Sequence, residues 1–191
     1  MKKNTIVIIG LVGFFFALSG CNIKQTSYMQ KYANGMESKQ VTVLKTTIEY
    51  IDNFIASGGG KDIPTAWYNK AQLLYKLGRM DEAEQALKAS ESSMKDFHLA
   101  TFYMITGRNA EADILIQNLC HTYAEQLSLG DSQRVQAVKS LQVMYIVSDM
   151  EFSDFLEMSN IKGDTLTSEE LAQIENKQAV RSELIGQLWP K

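Results

Sequence analysis

Proline, cysteine and histidine are scarce in this chain of 191 residues: it holds two prolines, Pro64 and Pro190, two cysteines, Cys21 and Cys120, and two histidines, His98 and His121. Because both prolines stand at the edges of patterned segments, no residue of that kind breaks a helix between them. A second absence is that of any stretch alternating apolar and polar residues, which argues against half-buried strands. Excess positive charge is lacking too. The formal net charge is -3, and without Lys2 and Lys3 it is two units more acidic, so the balance does not favour nucleic acid or an anionic lipid surface.

The motifs of catalysis are missing as well. There is no nucleophile elbow, zincin helix or dinucleotide fingerprint. The cluster Gly58-Gly59-Gly60-Lys61 is followed by Asp62, where a phosphate loop needs Ser or Thr to hold magnesium, and it reads instead as a helix terminator. Cys120 and His121 are neighbours in a helical pattern and so diverge by about 100°, which keeps them from sharing one metal ion with His98. No enzyme, metal or cofactor site is expected. Cys120 reads as a small core residue, with an intermolecular bridge as the alternative.

One long apolar run is present, from Thr5 to Leu18 behind Lys2 and Lys3. It carries no charge and falls short of the roughly 20 residues of a spanning helix, which is the pattern of a signal segment. The run closes on Leu18-Ser19-Gly20-Cys21: an aliphatic residue, two small residues and a thiol. These four residues resemble the lipobox of a bacterial lipoprotein. The resemblance implies cleavage before Cys21, a diacylglycerol thioether on its sulfur and an N-acyl chain (palmitate or similar) on its amine, so that several acyl chains hold the chain on a membrane. An ordinary secretory signal with an unrelated cysteine is the competing reading. Asn22 stands where an Asp would signal inner-membrane retention, which favours the outer membrane, facing the periplasm.

On this reading residues 1–20 are a signal peptide, 21–40 a flexible polar tether and 41–191 a single helical domain. Val41, Leu44, Ile48, Ile51, Phe54 and Ile55 recur at three and four, the stripe of an amphipathic helix. Further helices are expected at 64–77, 80–94, 97–106, 109–127, 132–148, 150–159 and 167–188. The last opens on Thr167-Ser168-Glu169-Glu170, a capping box in which hydroxyl and carboxylate each satisfy an orphan amide.

Self-similarity emerges when Gly78 is laid on Gly107: Leu77-Gly78-Arg79-Met80-Asp81-Glu82-Ala83 and Thr106-Gly107-Arg108-Asn109-Ala110-Glu111-Ala112 share Gly, Arg, Glu and Ala at matching offsets. Gly permits a tight turn between two helices, and Ala83 or Ala112 lets the second lie close on the first, with Leu87 or Ile116 filling the same interface. Both segments resemble the turn of a tetratricopeptide repeat. Upstream, Trp67 and the small Ala71 fit the first copy of that pattern while Lys70 departs and Leu74 stands at the Tyr place; Leu99, Ala100 and Tyr103 fit the second while Asp96 stands at the Trp place. The glycines are closer than the family period of about 34, which puts a shortening between the two copies. Leu141 and Tyr145 suggest a third copy, with Asp149 and Asp154 against it. The expected fold is all-α, a repeat of two to three helix pairs with helices 41–57 and 167–188 as caps.

Carrying over the family's helix A positions selects Thr65, Tyr68, Gln72, Tyr75, Lys76, Phe97, Thr101 and Met104 as partner-facing. Aromatic and Met side chains suit a peptide or helix in a groove, although Tyr75, Phe97 and Met104 could each pack on a neighbouring helix and Lys76 could be a solvated charge. The resemblance implies a membrane-anchored, non-catalytic adaptor, similar to pilotins and assembly factors of pilus, secretion or outer-membrane assembly systems. A self-associating structural envelope protein and an accessory subunit of an envelope hydrolase are the alternatives.

Overall fold

In the computed structural model, residues 23–58, 60–148, 150–161, 165–175 and 181–190 are described, with side chains from Tyr28 onward. The signal segment and Cys21 lie outside the described residues. Every regular element among those described is helical: α1 (Ile23–Glu37), α2 (Val41–Ala56), a 3-10 turn (Gly60–Asp62), α3 (Ile63–Lys76), α4 (Met80–Ala89), α5 (Lys95–Ile105), α6 (Asn109–Gln126), α7 (Asp131–Val147), α8 (Phe152–Met158), α9 (Ser168–Glu175) and α10 (Arg181–Leu188). None is long and apolar enough to cross a membrane.

The helices stack in chain order, α1 on α2, α2 on α3, α3 on α4 and so on to α7, with α9 against α7. This is an all-α, tetratricopeptide-like helical repeat. At the two repeat turns, sequence and geometry correspond residue by residue. Gly78 and Gly107 adopt φ of 74° and 79°, and the amides of Arg79 and Arg108 close back on Leu74 O at 2.9 Å and Tyr103 O at 2.8 Å, the 6→1 bond of a Schellman ending. Each arginine then pairs with the glutamate three residues on, Arg79 with Glu82 and Arg108 with Glu111. Ala83 and Ala112 are fully buried, as are Ala71 and Ala100, while Leu87 and Ile116 are 1 % exposed. Small residues on both helices of each pair bring the backbones together.

Four expectations need correction. Residues 21–40 are not a flexible tether over their described part: α1 occupies most of it, and it packs on α2 and α3. Its polar sequence hid the fold because the contacts are made by a few residues. Tyr28 is 1 % exposed and stacks on Phe54 at 4.6 Å, and Gly35 lies so close to Thr47 that a Cβ there would sit 2.9 Å from the threonine side chain. In consequence α2 is not the outermost helix. The shortening between repeats lies in α4 itself, which ends at Ala89 and not near 94. Ser90 ends it by donating to Pro64 O at 3.0 Å, and serine side chains then turn the chain, Ser92 N on Ser90 Oγ and Met94 N on Ser92 Oγ. The third copy is not built as expected either: α7 packs along α9, and α8 meets it through rings, Tyr145 lying 5.1 Å from Phe155 and 5.2 Å from Phe152. Asp149 is outside the described residues. Finally, the segment 167–188 holds two helices: α9 covers α7, and α10 touches α7 more lightly.

The capping box does form: Thr167 N donates to Glu170 Oε2 at 2.7 Å, and Glu170 N donates to Thr167 Oγ1 at 3.2 Å. Glu170 also receives Arg134 from α7, at 2.8 and 2.7 Å, and the same guanidinium donates to Leu127 O and Thr165 O. Arg134 and the Thr167 hydrogen bonds hold the Glu170 carboxyl down to about 2, against the opposing effect of burial. Cys120 is buried without exposure in the second of two cores, and burial pushes its thiol up to about 12.

Candidate functional site

The first helices of successive pairs, α1, α3, α5 and α7, carry the residues that a repeat would present to a partner. On α3, Tyr68 is buried at 9 % exposure and Gln72 at 4 %, Tyr75 and Lys76 are half-buried, and Thr65 is exposed. On α5, Phe97 and Thr101 are buried and Met104 is half-buried. Tyr68 and Tyr75 join the first core and Phe97 the second, while Met104 packs against both. Phe97 therefore lies inside the domain, not on an open face.

Four of the remaining positions converge on a segment that the family pattern does not contain. Trp189, just beyond α10, is 2 % exposed. Its indole meets Tyr68 edge-on at 5.8 Å and Tyr75 at 5.5 Å, and lies 5.3 Å from Phe102. The indole N–H donates to Thr101 Oγ1 at 3.0 Å. One residue earlier, the Leu188 carbonyl accepts from Gln72 Nε2 at 2.6 Å and from Tyr68 OH at 3.0 Å. That carbonyl belongs to the last turn of a helix, where no amide further along can take it, so Gln72 and Tyr68 act as its cap. The expected groove residues Tyr68, Gln72, Tyr75 and Thr101 are thus brought together, and what they hold is the chain's own C-terminal segment.

From the other side α1 reaches the same residues. Tyr32 OH donates to Gln72 Oε1, so both ends of the Gln72 amide are engaged. Asn69 donates to Tyr28 OH at 2.6 Å and Lys76 Nζ to Met36 O at 2.8 Å. Burial raises the Tyr28, Tyr32 and Tyr68 hydroxyls above the usual phenol range, keeping all three neutral. Trp67, by contrast, is half-buried against the first core with Lys70 Nζ 5.2 Å from its ring, and Lys70 pairs with Asp52 of α2 at 2.6 Å. The residue that departs from the family pattern ties α3 to the preceding helix.

His98 stacks on Tyr68 with ring centroids 3.8 Å apart, its buried Nδ1 having no hydrogen-bond partner among the described residues. Burial lowers its pKa to about 4, so the ring is neutral near pH 7 and serves as a plate behind Tyr68. His121, on α6, contacts Met158 O at 2.9 Å. No group of three or more potential metal-ligating side chains occurs among the described residues.

Between the repeats, Glu84 of α4 accepts from Tyr103 OH at 2.8 Å and pairs with Arg108 at 2.5 Å and Lys88 at 2.6 Å. Burial acts to raise its pKa, but the hydrogen bonds from Lys88, Arg108 and Tyr103 outweigh it and hold the carboxyl at about 2. Arg108 also lies over the Tyr103 ring at 4.1 Å. Leu99 and Tyr103 are 6 % exposed, packed where the first repeat meets the second.

The helix A positions do not by themselves disclose that Trp189 lies against them. Trp189 is one of two tryptophans and follows Leu184, Ile185 and Leu188 at helical spacing. That spacing marks an apolar stripe that the family pattern does not contain.

Residues 64–93 match the tetratricopeptide repeat model. Neither a curated protein nor a solved structure matches the chain. The matched span covers α3, α4 and the turn that follows, and the α5–α6 pair repeats its geometry. Tetratricopeptide repeats are protein-binding modules, and the face formed by their stacked helices is the binding surface.

Proposed function

We propose that this chain is a lipid-anchored, non-catalytic adaptor of a bacterial envelope, which recognises a partner protein through the face formed by α3 and α5. The observation that carries the reading is the cluster Tyr68, Gln72, Tyr75 and Thr101, an aromatic surface with side-chain amide and hydroxyl groups aimed at a helix end. Such a surface binds a protein segment; it offers no nucleophile with a paired base. Leu18-Ser19-Gly20-Cys21 supports the anchor, with diacylglycerol and an N-acyl chain on Cys21 and no other cofactor. Asn22 supports the outer membrane, periplasmic side. Assembly of a pilus, a secretion system or outer-membrane proteins is the role that fits an anchored adaptor.

Two measurements test it. Palmitate labelling in cells should mark the wild-type chain and not Cys21→Ser, and the variant should leave the membrane fraction. In-cell cross-linking followed by purification should recover a protein partner with the wild type and lose it with Tyr75→Ala combined with Gln72→Ala. Recovery of no partner from either strain overturns the adaptor reading, and absence of label overturns the anchor.

A further inference from the structure

The segment Arg181–Pro190 differs from the other helices in how it is held. Each of α2 through α9 fully buries at least one side chain, whereas in α10 Leu184, Ile185 and Leu188 are only half-buried against the two cores and full burial is reached at Trp189. Away from that anchor the packing opens: a cleft of about 440 Å³ lies between the start of α10 and Met104 and Ile105 of α5. The polar contacts that secure the segment are made to its backbone and to one indole: Gln72 and Tyr68 on the Leu188 carbonyl, Thr101 on the Trp189 N–H. Arg181 Nε, at the other end, reaches Val147 O at 3.0 Å. A short helix laid on a groove by a few apolar positions at helical spacing, here Leu184, Ile185 and Leu188, and ended by an anchoring aromatic, is how a groove binds a short peptide. A core helix instead buries such a stripe fully along its length.

We infer that Arg181–Pro190 is a resident ligand of the repeat face, and that the partner enters by replacing it with a segment of the same chemistry: a short helix ending in a carbonyl followed at once by tryptophan. This rests on the adaptor reading and adds the identity of the docking element and its regulation. Thr101 Oγ1 sits at the bottom of an aromatic box and accepts a hydrogen bond there, which tryptophan can donate and phenylalanine cannot. The internal segment competes at an effective concentration on the order of millimolar, as expected for a ligand on a short connection. The unoccupied adaptor is therefore closed to weak, non-cognate helices. A cognate partner must either bind better than the chain's own tail or be presented at high local concentration on the same membrane.

The full-length chain tests this with a fluorescein-labelled peptide of residues 181–190 as the probe. Trp189→Ala should retain its helical circular dichroism and bind the peptide saturably, while the wild type binds at least tenfold more weakly. A peptide carrying Trp189→Ala should bind neither. In the wild type, hydrogen exchange should show amides of 181–189 opening at least tenfold faster than those of α3 and α7. The inference is overturned if Trp189→Ala unfolds, if the folded variant ignores the peptide, or if tail amides exchange only as slowly as those of α3. Light scattering that finds wild-type dimers exchanging tails would overturn it in favour of a second copy as occupant. No partner protein enters these measurements, so their failure leaves the adaptor reading to its own cross-linking test.

Discussion

The indole N–H of Trp189 donates to Thr101 Oγ1 across 88 residues of chain, at 3.0 Å and out of contact with solvent. Thr101 completes the arrangement by donating its own proton to His98 O at 3.0 Å, so the hydroxyl has a fixed direction and a lone pair aimed at the indole. A buried hydrogen bond of this kind contributes about 1 kcal/mol net, and leaving one partner unsatisfied costs about 1–3 kcal/mol. Trp189→Phe and Thr101→Val should each lower stability by about 1 kcal/mol in urea titrations. Their double variant should cost less than the sum, because the second change removes a group already unpaired.

Acid should weaken the domain through two carboxylates. Glu84 and Glu170 are both held at about 2 in the fold, against an ordinary value of 4.5. A depressed carboxyl stabilises the fold above its unfolded value and ceases to do so as pH falls through the folded one. Both contributions are therefore present above pH 4.5 and fade toward about 2. Glu84→Gln and Glu170→Gln should lower stability at neutral pH and flatten its fall in this window, read from urea midpoints across the range. Glu170→Gln should lose less of the cap than Glu170→Ala, since the amide oxygen can still accept from Thr167 N.

His98 should act at milder acidity. Its pKa falls from 6.5 to about 4 on folding, so the unfolded chain takes up the proton first and stability declines as pH drops between those values. The carboxylates are still ionised at about pH 5, which separates the two effects. His98→Phe keeps a ring against Tyr68 and should remove the loss between pH 7 and pH 5. Tyr68 fluorescence quenching by Trp189 would report whether the tail contact strengthens with it.

Glycine positions separate two kinds of cost. At Gly78 a Cβ would meet nothing within 4 Å, and the only obstacle is φ of 74°; Gly78→Ala should cost about 1–2 kcal/mol and Gly78→Asn less. Gly35 has no such φ, but its added Cβ would clash with Thr47 on α2. Gly35→Ala should loosen α1 and expose Tyr28 to exchange and quenching, and Thr47→Ala should partly restore it.

The repeat was legible because its information is local. A glycine turn, an arginine and glutamate three apart and a small residue at a helix contact are all specified within seven positions, and each falls where spacing places it. The capping box at Thr167 was legible for the same reason. What escaped depends on distant pairings. Tyr28 is an isolated aromatic in a polar stretch until Phe54 and Asn69 are placed against it, so α1 reads as a tether. Trp189 carries no repeat signature, and its role exists only because Tyr68, Tyr75 and Phe102 surround it. Similarly, helix A positions can be assigned from spacing, but a sequence contains no indication that a face is already covered.

The placement of α1 bears on how the domain stands. Only Asn22 separates Cys21 from the start of α1, and that helix is locked to the body at Tyr28 and Gly35. Two residues of extended chain reach no more than about 7 Å. A lipid on Cys21 would then hold the repeats close to the bilayer like a bracket on a wall, limiting the height at which an incoming helix arrives, where a leash would have let the domain search.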